Sequence, residues 1–146
     1  MASVYVSDQF RGDILAAVHN LGTGTYKAIL LGTGYTPDPS HKFVSDVSAQ
    51  EISGTGYASG YAGAGRKTIS SPTVTIDTTN HYAYFTYTVA TWTGINAGTI
   101  RYIGIWKPNT SDADSKIICI KQLDQDVVTT GVDFTYTVPA TGEFQL

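Results

Sequence analysis

The chain has 146 residues, of which 42% are hydrophobic and 14% charged, with a formal net charge of −3. This length favours one domain, 1–146, and the apolar content excludes disorder, because ample surface is available for burial and little charge opposes it. The acidic balance and scattered basic residues exclude a nucleic-acid binder that tracks the phosphate backbone, which needs a basic patch.

Residues 1–6 lack a basic region followed by an apolar core, and no apolar run is long enough to span a bilayer. No signal peptide and no membrane partner are expected, and synthesis in a cytoplasm follows. Residues 7–21 carry the one helical pattern. Ser7 or Asp8 can cap it, Val6 can staple onto it, and Phe10, Ile14, Val18 and Leu21 recur along one face. Asn20-Leu21-Gly22 reads as the stop, with Gly22 turning left-handed.

From residue 25 the period is that of strands. Residues 25–31 predict a central strand ended by Gly32-Thr33-Gly34, and Pro37 and Pro39 make 37–40 a loop. Residues 43–52 read as a helical turn running into a strand, and the glycine-rich 54–65 as a loop. Thr73, Val74, Thr75 and Ile76 alternate as in a half-buried strand, with a turn at 77–80. Within 82–92, Tyr82, Tyr84, Thr86 and Thr88 share one face and Ala83, Phe85, Tyr87 and Val89 the other. Strands at 99–106, 116–122 and 132–138 follow, and 144–146 can close an edge. Ten Tyr, many Thr and fifteen Gly suit strands joined by turns. The prediction is a mainly β fold, an antiparallel β-sandwich or partly closed barrel with one N-terminal α-helix.

Motifs for chemistry are sparse. The stretch 60–68 has the glycines of a phosphate loop, but Gly65 is followed by Arg66 instead of Lys, and no helix follows to supply aligned N–H groups. Arg11-Gly12-Asp13 spells an adhesion tripeptide, yet lies inside the predicted helix. His19, His41 and His81 have no metal-ligand spacing with one another or with Cys119. Asp112, Asp114, Asp124 and Asp126 lack the Gly and Glu of a calcium loop and read as solvated loop carboxylates. Cys119, the single cysteine, lies in Ile-Ile-Cys-Ile and is expected to be packed and inert. No nucleophile elbow appears, so the chain reads as non-catalytic, without cofactor or metal. Trp92, Trp106, Tyr57, Tyr61, Tyr82, Tyr84, Tyr87 and Tyr102 suit a sugar platform, or, as strand residues, a core and a subunit interface, and the second reading is preferred.

In order along the chain stand Tyr26-Lys27-Ala28-Ile29-Leu30-Leu31, Tyr35-Thr36-Pro37-Asp38, His41-Lys42-Phe43, Ser45-Asp46-Val47 and Glu51-Ile52-Ser53-Gly54-Thr55-Gly56-Tyr57. Thr91-Trp92-Thr93, Ile100-Arg101-Tyr102-Ile103-Gly104-Ile105-Trp106 and a close at 142–146 follow. This arrangement resembles, over nearly the whole chain, a family of small structural proteins encoded among the head and tail genes of tailed bacteriophages. The stretch Tyr61-Ala62-Gly63-Ala64-Gly65 is longer than its counterpart in that family.

The resemblance implies a virion component without enzymatic activity, made in the host cytoplasm. The leading expectation is a capsid decoration (cement) protein, partnered by the major capsid protein or other virion structural proteins and by copies of itself. A tail or head–tail junction component and a receptor- or glycan-binding module are the alternatives. The contact elements expected from loop position are 54–65, 35–41 and the arm 1–6. The interface residues expected are Tyr35, Pro37, His41, Tyr57, Tyr61, Trp92 and Trp106.

Overall fold

The computed structural model describes residues 3–89 and 91–146. Among them the elements run β1 (Val4–Val6), α1 (Asp8–Leu15), β2 (Lys27–Leu31), two 3-10 turns (Val44–Asp46 and Ser48–Gln50), β3 (Lys67–Asp77) and β4 (Tyr82–Val89). Then come β5 (Trp92–Ile95), β6 (Thr99–Lys107), β7 (Lys116–Val128) and β8 (Val132–Phe134). Six strands form one antiparallel sheet in the order β1-β7-β6-β2-β3-β4, while β5 and β8 pair apart from it. The larger sheet curls into half a barrel, so the chain adopts the mainly β architecture with one N-terminal helix.

β2 is central and apolar, and its alternation sorts side chains between two cores. Ala28 and Leu30 join Phe10, Phe85, Ile103, Ile105 and Ile118 on one side. Ile29 and Leu31 join Tyr102, Trp106, Ile117 and Ile120 on the other. The first side includes Phe10 of α1 and Phe144, whose rings meet edge to face at 5.7 Å, and Trp92 of β5 with Phe134 of β8 at 5.6 Å. The second is closed by Tyr35, Val44 and Val47. Gly104 lies opposite Ile29, and a Cβ there would stand 2.9 Å from the Ile29 Cγ2. The missing side chain is what lets Ile29 pack.

Several boundaries differ from the sequence expectation. The helix is 8–15, not 7–21, and it ends with Ala17 at φ 57 instead of Gly22. The Ala17 N–H bonds the Ile14 carbonyl (3.1 Å) and the Val18 N–H bonds the Asp13 carbonyl (2.8 Å), the two bonds of a Schellman stop. Val18 therefore leaves the predicted stripe and is exposed, whereas Phe10 and Leu21 are buried. Ser7 stands at the N-cap position, but its hydroxyl donates to the His41 carbonyl (3.0 Å) instead of capping. The expected strand 82–92 is two strands, with Ala90 between them outside the described residues. β7 runs on to Val128, whereas β8 stops at Phe134. The closing edge at 144–146 is found: Ala83 and Leu146 exchange N–H···O bonds of 2.9 and 3.0 Å.

β3 is longer than its predicted core of 73–76 and is interrupted. Its pairing with β4 shifts by one residue between Ser70 and Thr73, with Ser71 at φ 50, the signature of a β-bulge. The shift sets Val74 opposite Phe85 and Ile76 opposite Ala83. β3 pairs with β2 only at Lys67 and Thr68. Beyond the bulge, 73–77 and 82–86 therefore project past β2, with 144–146 on the far side of β4, and Val74 and Ile76 are 48% and 75% exposed instead of half-buried.

Candidate functional site

Arg66, the residue that breaks the phosphate-loop spacing, is the hub of a buried charge cluster. Its Nε and Nη2 donate to the Glu51 carboxylate at 2.8 and 2.6 Å, and its Nη1 and Nη2 donate to Asp112 at 2.5 and 3.1 Å. Its guanidinium lies 5.2 Å above the Trp106 ring. Glu51 also accepts from the Tyr57 hydroxyl (2.9 Å) and the Gly60 N–H (3.1 Å). Burial opposes the Arg66 charge, but the two carboxylates outweigh it and drive its pKa above the usual arginine value. The cluster is saturated with internal partners, and a permanently charged guanidinium performs no acid–base chemistry. Its role is to clasp 51–66 to the loop carrying Asp112. Asp112 is thus not a solvated loop carboxylate. Asp114 accepts from the Thr110 and Ser111 N–H groups and holds that loop, whereas Asp124 and Asp126 lie on β7.

A second cluster centres on Asp13, the last residue of the adhesion tripeptide, which faces inward from α1. Its carboxylate accepts from Lys116 Nζ (2.7 Å), Gln9 Nε2 (2.9 Å) and His19 Nε2 (3.0 Å). Burial alone would raise its pKa, yet these donors hold it below the ordinary value. Burial lowers that of His19 against the pull of Asp13. An open hollow of about 200 Å³ adjoins the pair, lined by His19, Lys107, Asp114 and Lys116 among others. An Asp–His pair is half of a hydrolytic constellation, but none of the lining residues carries a hydroxyl or thiol.

The third cluster is Glu143, which accepts from the Tyr136 hydroxyl at 2.6 Å. Burial raises the pKa of the glutamate. The Cys119 thiol is fully buried and its pKa is likewise pushed up by burial, as expected for a packed, unreactive cysteine.

Of the expected interface residues, Tyr35, Tyr57, Trp92 and Trp106 are buried within the chain and present no surface to a partner. Each is consumed inside. The Tyr35 hydroxyl, pushed up to about 12 by burial, meets His41 Nδ1 at 3.0 Å, and Tyr57 bridges Glu51 and the Leu30 N–H. The Trp92 Nε1 donates to the Gly65 carbonyl (2.7 Å), which draws the 54–65 loop inward. Pro37, His41 and Tyr61 are half-buried, and the Tyr61 hydroxyl donates to the Asn109 carbonyl. The arm 1–6 is not free either: Val4–Val6 pairs with β7, and Met1 and Ala2 lie outside the described residues. A sugar platform built on the two tryptophans is excluded by their burial.

The surface that sequence reasoning missed is apolar. Leu15 is 90% exposed, Ile76 75%, Leu146 57% and Val74 48%. Leu15 and Leu146 share a hollow with Arg11 and Ile14. The signal was present for Leu15, an apolar residue out of phase with the stripe through Phe10 and Ile14. Among the described residues no group of three or more His, Cys, Asp or Glu is placed to hold a metal ion, and no helix is long and apolar enough to cross a membrane. Compared with protein-family models, with curated proteins and with solved structures, the chain matches none.

Proposed function

We propose that the chain is a non-catalytic structural protein of a virion, a capsid decoration protein that binds the assembled shell and stabilises it. The resemblance to phage head and tail proteins supplies the setting. The structural observation that carries the mode of action is a division of labour. The charged clusters around Arg66 and Asp13 are turned inward and mutually paired, while Leu15, Val74, Ile76 and Leu146 stand uncommitted at the surface. Leu15 and Leu146 share one hollow and Val74 and Ile76 stand on one face of β3, exposed apolar side chains that suit association with protein, and the low charge of the chain leaves little to desolvate on contact. A protein that binds the lattice more tightly than dispersed subunits stabilises the lattice by mass action. Self-association into a closed oligomer would multiply weak contacts at symmetry-related sites.

The test is the number of copies per purified virion, measured against the major capsid protein. Copies comparable in number to the shell's repeated sites support decoration. A handful would move the chain to the tail or the head–tail junction, and absence from the particle would overturn the virion reading.

A further inference from the structure

We infer that the chain dimerises by pairing the free edge of β3 with the same edge of a second copy, antiparallel, about a two-fold axis at Thr75. The inference rests on the reading of the chain as self-associating and names the surface that does it. An unpaired strand edge is a template for another strand, and proteins blunt such edges with charge, proline or bulges. Here Pro72 and the bulge at Ser71 protect only the stretch before Thr73. On the side away from β4, residues 73–77 have no strand partner among the described residues, and their single charge, Asp77, stands at the end. Along this stretch Thr73, Val74 and Ile76 are exposed and Thr75 and Asp77 half-buried.

Symmetry selects the register. A two-fold axis perpendicular to the sheet keeps each face on its own side, and directly opposed residues of an antiparallel pair share a face. The axis must therefore pass beside a residue and not between two. An axis at Val74 would bring Pro72 opposite Ile76, and an axis at Asp77 would oppose like charges. An axis at Ile76 would leave only 75–77 paired within 73–77. The axis at Thr75 alone pairs all five residues 73–77, with Val74 facing Ile76 of the copy and Thr73 facing Asp77.

The copy is the occupant because the cross-strand rows then continue unbroken. On one face, Phe144, Phe85 and Val74 are in line, and the row passes across the axis into Ile76, Ala83 and Leu146 of the copy. On the other face, Gln145, Tyr84 and Thr75 meet their own images. Apolar meets apolar and polar meets polar, which is the self-complementarity an isologous contact requires. Cross-strand contact would cover Val74 and Ile76, two apolar side chains that the monomer leaves in water.

A cysteine at the axis reads the register directly. Opposed residues of an antiparallel pair have Cα atoms about 4.5–5.5 Å apart, within the span of a disulfide, and the native Cys119 is too buried to compete. In the full chain, Thr75→Cys under mild oxidant is expected to give a covalent dimer of twice the 15.6 kDa chain mass. Thr73→Cys, four residues out of register with its image, is expected to give none. Ile76→Lys is expected to return a folded monomer by sedimentation. A dimer in which Thr75→Cys does not crosslink overturns this pairing and leaves self-association standing. A chain that remains monomeric, with Thr75→Cys uncrosslinked, overturns both and leaves the edge to a strand of another protein.

Discussion

Gly12 of the first helix and Ala17 just past its end sit in conformations suited to each other's side chains. Gly12 occupies the interior of α1 with open space where a Cβ would go, and Ala17 holds the left-handed stop at φ 57. Glycine inside a helix costs about 1 kcal/mol relative to alanine, and a left-handed alanine costs about 1–2 kcal/mol before the entropy of a glycine is counted. Gly12→Ala and Ala17→Gly are each expected to raise the free energy of unfolding by about 1 kcal/mol, and together by about the sum. Urea denaturation of the two variants and their combination checks this, and a loss of stability in Ala17→Gly would refute the account of the stop. The helical pattern itself was legible in the sequence, but its end was not. A helix continued to Leu21 would set Asp13 and His19 well around the axis from each other. The buried Asp13 carboxylate requires donors, and His19 reaches it, at 3.0 Å, because the chain breaks after Leu15. A tertiary demand of this kind leaves no trace in periodicity.

At the level of elements, strand periods were read correctly where a strand is buried on one or both faces throughout. Ala28 and Leu30 separate from Ile29 and Leu31, and Phe85, Tyr87 and Val89 turn to the core as their alternation indicates. The irregularities were hidden because they depend on a partner. The bulge in β3 is a property of its register with β4, and Pro72 is its one local sign. The 54–65 loop was placed correctly, but the clasp at its end, through Arg66 and Glu51, has no motif that announces it. That clasp yields a graded prediction. The Glu51 side chain is 3% exposed and that of Asp112 is 22% exposed. Removing a partner from a buried pair costs about 3–5 kcal/mol because the remaining charge is stranded. Glu51→Ala also removes the acceptor of the Tyr57 hydroxyl and of the Gly60 N–H, and is expected to fall in that range. Asp112→Ala leaves Arg66 with Glu51 and is expected to cost about 1–2 kcal/mol, since a partly exposed pair contributes less. Equal losses in guanidinium denaturation would show that the cluster does not hold the loop in this way.

The whole molecule carries opposed electrostatic demands, and its stability should follow pH accordingly. Asp13 is held below its ordinary pKa, so its contribution is present above the unfolded value and is lost as pH falls through the folded one. Glu143 is raised, chiefly by burial, so its contribution is complete below the unfolded value and is lost as pH climbs through the folded one. His19, held low by burial, adds stability that is lost as pH falls below the ordinary histidine value, so the Glu143 slope is read as the difference between the wild type and a variant that cannot titrate at residue 143. Burial is what favours the protonated form, and the groups facing Glu143 oppose it: Tyr136 donates to Oε2, and Lys121 and the buried Tyr87 hydroxyl also favour the charge. Glu143→Gln fixes a neutral side chain at every pH. The variant is expected to stand nearest the wild type at about pH 4 and to exceed it at about pH 8, where the wild-type carboxyl must ionise in a buried site. Denaturant midpoints measured across that interval decide the matter. A wild type that falls relative to the variant as pH rises places the difference on Glu143, whereas a variant weaker at about pH 8 would mean that Tyr136, Lys121 and Tyr87 hold the carboxylate charged and that burial does not govern it.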